Sequence, residues 1–337
     1  MNWLSNLRNL KVEITSYCNA ACPGCTRNIT GGATVADLDL SHMPLELWTR
    51  LCQTDTKDIL IRELLLDGSV GDMCMHPLAL DFIDIFMAAH PESEILINTN
   101  GGARNTKFWT QLGERLSKIN HRVNFAIDGL ADTHHIHRRN TTYEIVTRNM
   151  QAFISAGGRA NWVYTAFDHN IHQISIANQR AVDMGCAYFE VRQSCIPGSD
   201  LYTKTTREEY SIGTDLIEDI PEFLDKIIEE QHLINMPEEN ADSDCQAYHE
   251  KQIQIDWRGN VWPCSYIYST EVKQTRESQS PFYSSTDHPG DAINLYSYSL
   301  TDILQNVFYQ NTLPEAINSA CWQVCQERCG LRPSFTK

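Results

Sequence analysis

The chain has 337 residues, enough to bury a large core and to form one sizeable domain with a smaller one beside it. Hydrophobic residues make up 42%, no apolar run approaches the roughly 20 residues of a membrane span, and Met1-Asn2-Trp3-Leu4-Ser5-Asn6-Leu7-Arg8 lacks the basic start and apolar stretch of a signal peptide. A cytoplasmic location without a membrane partner is expected, where 12 cysteines read as metal ligands and free thiols instead of disulfides, and the net charge of −16 argues against duplex nucleic acid.

The first strand candidate is Leu10–Thr15. It runs into Cys18-Asn19-Ala20-Ala21-Cys22-Pro23-Gly24-Cys25, spaced C-x3-C-x2-C. Three thiolates on one short loop can hold three corners of a cubic iron–sulfur cluster and leave the fourth iron without a protein ligand. Cluster proteins that only carry electrons usually supply four cysteines. An open iron implies that something else binds there. Zinc is the alternative, but it prefers a tetrahedron closed by two C-x2-C-like pairs, which this spacing suits poorly. Three inert buried thiols are the remaining choice.

Strands and helices then alternate. Pro44–Gln53 reads as a helix with proline in its first turn. Ile59–Leu66 reads as a strand, and Pro77–Ala89 as a helix with Leu78, Phe82, Ile85, Phe86 and Ala89 at helical spacing. Strands Glu94–Thr99, Arg122–Ile127, Asn161–Phe167 and Ala187–Arg192 follow, separated by helices Asn105–Ser117, Tyr143–Ala156 and His172–Met184. The last two helices end at Gly157 and Gly185, a common stop. Six βα units imply parallel strands with right-handed crossovers, in an open sheet or in a partial barrel. Ligands gather where such strands end. Polar or glycine-rich sequence stands at nearly every strand end: the cysteine loop, Asp67-Gly68-Ser69-Val70-Gly71-Asp72, Asn98-Thr99-Asn100-Gly101-Gly102, Asp128-Gly129, Asp168-His169 and Arg192. This is the pattern of one shared pocket.

Residues 196–244 read as a connector followed by an acidic helical segment. Between Asp215 and Asp244 there are eleven acids and one lysine, Lys226, a solvated face that repels phosphate backbones. Ser269–Gly290 reads as a polar insertion. Around it lie Cys245, Cys264, Cys321, Cys325 and Cys329. Gln252–Asp256 alternates and Trp257-Arg258-Gly259-Asn260 supplies a turn, so a β-hairpin carries a cysteine near each outer end. The last three cysteines are spaced i, i+4, i+8, one helix face. Five thiols exceed the four of a closed cluster, and four would suit zinc equally well.

Together these residues resemble the radical S-adenosylmethionine (SAM) superfamily, whose C-x3-C-x2-C follows the first strand of a partial βα barrel. The resemblance covers residues 9–195. The tail resembles the auxiliary-cluster domain called twitch, the short form of the SPASM domain. The segment Phe125-Ala126-Ile127-Asp128-Gly129-Leu130-Ala131-Asp132-Thr133-His134 is also similar to the fourth-strand segment of SPASM and twitch enzymes. The implied architecture is α/β: a partial (βα)6 TIM barrel over 1–195, the connector over 196–244, and a twitch-like domain of hairpin plus helix over 245–337.

The resemblance further implies a [4Fe–4S] cluster on Cys18, Cys22 and Cys25, with SAM chelated at the open iron. One electron would break the S–C5′ bond, and the resulting 5′-deoxyadenosyl radical would take hydrogen from a small-molecule or peptide substrate. Gly71 and Asp72, or main-chain carbonyls of their turn, would take SAM's amino group. Asn98, Asn100 and Asp128 would meet its ribose or adenine, and Arg138 or Arg192 its carboxylate. Gly24 stands where many members carry an apolar or aromatic residue against adenine; Tyr17 is the substitute proposed here. An auxiliary iron–sulfur cluster on the late cysteines would aid oxidation or hold substrate, and flavodoxin or ferredoxin would supply electrons. Asp168 and Glu190 are candidates for a substrate base. His134, His135 and His137 read as a loop rather than a metal site, and Trp162, Tyr164 and Trp257 as core. No segment before residue 9 is long enough for a peptide-recognition domain, which disfavours a long leader peptide. The competing functions are a non-catalytic electron-transfer protein and a nucleotide-modifying radical enzyme.

Overall fold

The computed structural model describes residues 2–28, 31–36, 38–117, 121–193, 209–212, 245–268 and 290–318. Cys321, Cys325, Cys329, the acidic segment and nearly all of the 269–290 insertion lie outside the described residues.

Apolar side chains recur at every second position in the strand candidates, and the sheet uses that period. Strands β1 (Asn9–Val12), β2 (Glu63–Leu66), β3 (Glu94–Thr99), β4 (Arg122–Ala126), β5 (Ala160–Ala166) and β6 (Tyr188–Gln193) lie side by side in chain order, each parallel to the next. This unbroken order separates a partial barrel from a doubly wound sheet, in which the order reverses. Leu10, Val12, Leu64, Leu66, Ile95, Ile97, Val123, Phe125, Phe189 and Val191 are fully buried beneath the helices. The intervening positions, among them Lys11, Asn98, Asn124, Asn161, Glu190 and Arg192, point to the other face, since successive side chains of a strand alternate.

The helices Leu45–Arg50, Ala79–Ala89, Thr106–Arg115, Tyr143–Ser155 and Ile174–Met184 fill the crossovers. Their starts follow the expected chemistry. Asn105 and Thr142 accept the N–H groups of Phe108 and Ile145 as N-caps. Gly185, at φ +79°, stops the last of them in a left-handed conformation that a Cβ would strain. Trp48 stacks on Phe82, and Trp109, Phe125 and Phe153 form a chain of ring contacts between helix and sheet.

Two strand bounds differ from expectation for local reasons. The second strand starts at Glu63 and not at Ile59, because Ile61 N–H donates back to Ile59 in a tight turn. The first leaves the sheet after Val12. Ile14 then accepts from Met43 N–H, and Thr15 pairs with His42, which turns the chain outward into the cysteine loop.

The expected hairpin forms, with β8 (Gln252–Ile255) antiparallel to β9 (Val261–Trp262). Asp256 organises its turn by accepting from Arg258 N–H, Asn260 N–H and the Trp262 indole. β8 also pairs in parallel with β1, so the hairpin extends the barrel sheet. At the other edge β7 (Glu209–Ile212), inside the stretch expected as a connector, pairs antiparallel with β6. Among the described residues no helix is long and apolar enough to cross a membrane.

Candidate functional site

The C-terminal ends of the strands surround a cavity of about 280 Å³. Cys18, Cys22 and Cys25 line it. Their loop closes in a turn, with Cys25 N–H donating to Cys22 and Gly24 at φ +78°. Buried Arg27 ties this loop to the next strand end by donating to the carbonyls of Ser16 (2.7 Å) and Val70 (2.9 Å). No disulfide joins the three thiols. Burial pushes all three up, Cys18 to about 12, with Asp72 adding to the rise at Cys18 and Arg138 opposing it at Cys22 and Cys25.

The donors around these sulfurs fit an anionic cluster. Asn100 Nδ2 lies 3.5 Å from Cys18 Sγ, and Arg138 Nη1 lies 3.9 Å from Cys22 Sγ. N–H groups and a guanidinium favour thiolates over thiols. No fourth cysteine lines the cavity among the described residues. No three His, Cys, Asp or Glu side chains among the described residues are gathered tightly enough for a single metal ion. The three thiols share a wall, which suits a multi-iron group better than one zinc.

The glycine turn is the second element. A Cβ on Gly68 would stand 2.2 Å from Gly71 O, and one on Gly71 would stand 1.8 Å from Thr15 O. Both positions therefore require glycine. Gly71 and Asp72 line the cavity. The Asp72 carboxylate accepts from Cys74 N–H, the Thr99 hydroxyl, Asn100 N–H and Asn100 Nδ2. Four donors fill the acceptor sites of a carboxylate. Asp72 thus fixes Asn100, which in turn reaches Cys18 and Asn19.

Asp128 is fully buried behind the cavity wall. Its Oδ2 lies 2.6 Å from Arg138 Nε and 3.8 Å from His137 Nε2, and its Oδ1 accepts Thr165 N–H. Burial raises the Asp128 carboxyl, but Arg138 and His137 outweigh it and hold it below the ordinary range. Arg138 lines the cavity and stays charged: Asp128 and Cys22 outweigh its burial. Burial drives His137, which also lines the cavity, down to about 4, so it is neutral near pH 7.

Asn98 lines the cavity within a row of amides. It donates to Asp67 and accepts from Asn124, which accepts from Asn161. Arg192 also lines the cavity and pairs at 2.6 Å with Glu190. Glu190 and Asp168 are not on the cavity wall, and Asp168 is exposed. Of the late cysteines, Cys245 is buried before the short helix Gln246–His249, and Cys264 follows the hairpin and accepts Ile267 N–H at 3.4 Å.

Sequence reasoning missed Glu13, 1% exposed at the end of β1. Its Oε1 accepts Val70 N–H at 2.5 Å, and its Oε2 accepts the Tyr268 hydroxyl. The available signal was alternation: Lys11 and Glu13 are polar positions on one face of an otherwise apolar strand. Burial, opposed by the bonds from Tyr268 and Val70, pushes the Glu13 carboxyl from 4.5 up to about 8. The folded chain therefore holds this proton more tightly than the unfolded chain does. The stabilisation is fully present below the unfolded value of 4.5 and is lost as pH rises through about 8. Glu13→Gln, always neutral, should flatten that decline, read as denaturant midpoints across this window. An unchanged slope would remove Glu13 as its source.

No family model matches the chain, and no curated protein matches it in sequence. Solved structures do share its fold, and it is the fold of radical SAM enzymes. Streptococcus suis SuiB bound to S-adenosylmethionine superposes with a TM-score of 0.61 at 15% identity, covering 94% of this chain and 68% of SuiB. SuiB bound to its precursor peptide SuiA gives 0.59 at 14%, covering 94% and 67%. The enzyme anSMEcpe with bound AdoMet gives 0.56 at 12%, covering 90% of this chain and 78% of that one. At such identities the likeness is one of fold.

Proposed function

We propose that the chain is a radical SAM enzyme that carries a [4Fe–4S] cluster on Cys18, Cys22 and Cys25. The observation that carries this is the convergence of the three thiols, the glycine turn and Arg138 on one cavity at the strand ends. When bound, the cluster and SAM would supply a 5′-deoxyadenosyl radical that abstracts hydrogen from substrate.

The chain's own residues bind and orient. Main-chain carbonyls of the turn at 68–71 are proposed to accept the ammonium, with those of Ser69 and Val70 already bonded by Thr26 and Arg27, while Asp72 holds Asn100 and through it the Cys18 loop. Arg138, clamped through Nε by buried Asp128, is placed to pair with the carboxylate of SAM, with Arg192 as the second candidate. Asn98 and its amide row offer hydrogen bonds to the ribose. Glu190 is proposed as the substrate base ahead of exposed Asp168. Cys245 and Cys264, with Cys321, Cys325 and Cys329, are proposed to hold an auxiliary cluster in a twitch-like domain. Flavodoxin or ferredoxin would be the reductant.

The substrate is proposed to be a peptide or a small polar molecule. SuiB with SuiA, and anSMEcpe with its Cp18Cys and Kp18Cys peptides, support the peptide. Asn98, Asn124, Thr165 and Arg192 on the cavity wall could bond a polar substrate, beside apolar Ala126 and Val163.

Anaerobically reconstituted and reduced protein should convert SAM to 5′-deoxyadenosine, which an electron shuttle would not do. Arg138→Lys keeps the charge but loses the guanidinium fork, and should raise the KM for SAM about tenfold. An unchanged KM would move the carboxylate to Arg192.

A further inference from the structure

Two inward-facing side chains at the end of β1 have no part in the chemistry above. Each is a bridge. Lys11 Nζ lies 2.7 Å from Asp67 Oδ2 and 3.3 Å from Ser265 Oγ. Glu13 accepts Val70 N–H at 2.5 Å and Gly71 N–H at 3.4 Å through Oε1, and the Tyr268 hydroxyl through Oε2. Asp67 and Gly71 mark the two ends of the glycine turn. Ser265 and Tyr268 are the first and last described residues of the helical turn after Cys264.

The spacing explains why both bridges form. Residues i and i+2 of a strand share a face, and residues i and i+3 of a helical turn do too. Lys11 and Glu13 can therefore meet Ser265 and Tyr268 in step. Tyr268 is fully buried, and its N–H closes onto the Cys264 carbonyl at 3.1 Å. Water cannot substitute for a bond made there. The glycine turn itself is thin: it has two glycines and no room for a Cβ at either. Thr26 and Arg27 hold its middle by donating to the carbonyls of Ser69 and Val70, and the bonds from Lys11 and Glu13 hold its two ends.

We propose that Tyr268 and Ser265 are positioning residues for the SAM-binding turn, acting through Glu13 and Lys11, so that the segment carrying Cys264 sets the geometry with which the turn meets SAM. The proposal rests on the turn's role given above. A shift of the Cys264 segment is transmitted to both ends of the turn at once.

The test compares Tyr268→Phe with wild-type holoenzyme by equilibrium dialysis against labelled SAM. Tyr309→Phe is the control. It removes another fully buried hydroxyl of the same region, one that donates to Val261 at 2.9 Å and not to Glu13. Tyr268→Phe should weaken SAM binding about tenfold, the loss expected when one buried hydrogen bond is removed. Its iron content, and its rate of 5′-deoxyadenosine formation at saturating SAM, should match wild type. The result is a raised KM with kcat kept. Tyr309→Phe should lower the thermal midpoint without shifting SAM affinity. The proposal is overturned by a Tyr268→Phe affinity within about twofold of wild type, or by an equal loss of affinity in Tyr309→Phe. Either result leaves the enzyme assignment standing if wild type still cleaves SAM. A wild-type protein with an intact cluster that binds no SAM overturns both.

Discussion

Cys22→Ala is expected to abolish SAM cleavage and to remove the iron of the first site. Cys22 lies at the middle of the three-cysteine loop, is nearly buried, and has Arg138 Nη1 beside its sulfur. The loop already supplies one thiolate fewer than a closed cluster has, so loss of another leaves two of the cube's corners unheld. Alanine also removes the sulfur beside the Arg138 guanidinium, which keeps its ion pair with Asp128. The control is Cys52→Ala. Cys52 is also buried, but it lies in the π-helical turn Leu51–Asp55 and off the cavity wall. Iron content and 5′-deoxyadenosine, measured on both variants, decide the matter. Cleavage that survives in Cys22→Ala would detach the chemistry from this loop.

Gly71→Ala should cost nearly as much, although it removes no functional group. The added Cβ would stand 1.8 Å from Thr15 O and 2.7 Å from Thr15 C. Both are main-chain atoms at the base of the cysteine loop, so neither can swing aside as a flexible side chain would. Either the glycine turn or the end of β1 must move by about an ångström, and misplacement on that scale costs on the order of a hundredfold in rate. The loss should appear in SAM affinity and cleavage, with cluster iron largely retained. Wild-type kinetics in Gly71→Ala would mean that the turn takes no part in binding.

The fold was legible because its signals are local. Each strand of the barrel carries its own apolar period, and β3 starts and ends where the sequence places it, at Glu94 and Thr99. Gly185 and the caps Asn105 and Thr142 set helix ends by short-range chemistry. The clustering of polar residues at strand ends follows from topology alone, and the cavity lies there.

What stayed hidden is long-range. Glu13 and Tyr268 are 255 residues apart, and no spacing rule pairs them. Asp72 stands where the resemblance placed an acid for the SAM ammonium. Only the structure shows that Cys74, Thr99 and Asn100 already occupy its oxygens. The resemblance set Asp128 against ribose or adenine; its ion pair with Arg138, ten residues on, shows only in the structure. The amide row from Asp67 to Asn161 required knowing which strands are neighbours, since Asn124 and Asn161 carry no signal in their own segments. The pairing of β8 with β1 depends on the same knowledge.

The central claim is that the loop at 18–25 leaves one iron free for SAM. The most direct measurement is the electron paramagnetic resonance spectrum of the reduced, oxygen-free protein before and after SAM is added. The account predicts a [4Fe–4S] signal whose g-values shift on addition and which is missing from Cys22→Ala. A first-site signal that SAM leaves unmoved, or no cluster signal from that site, would contradict it.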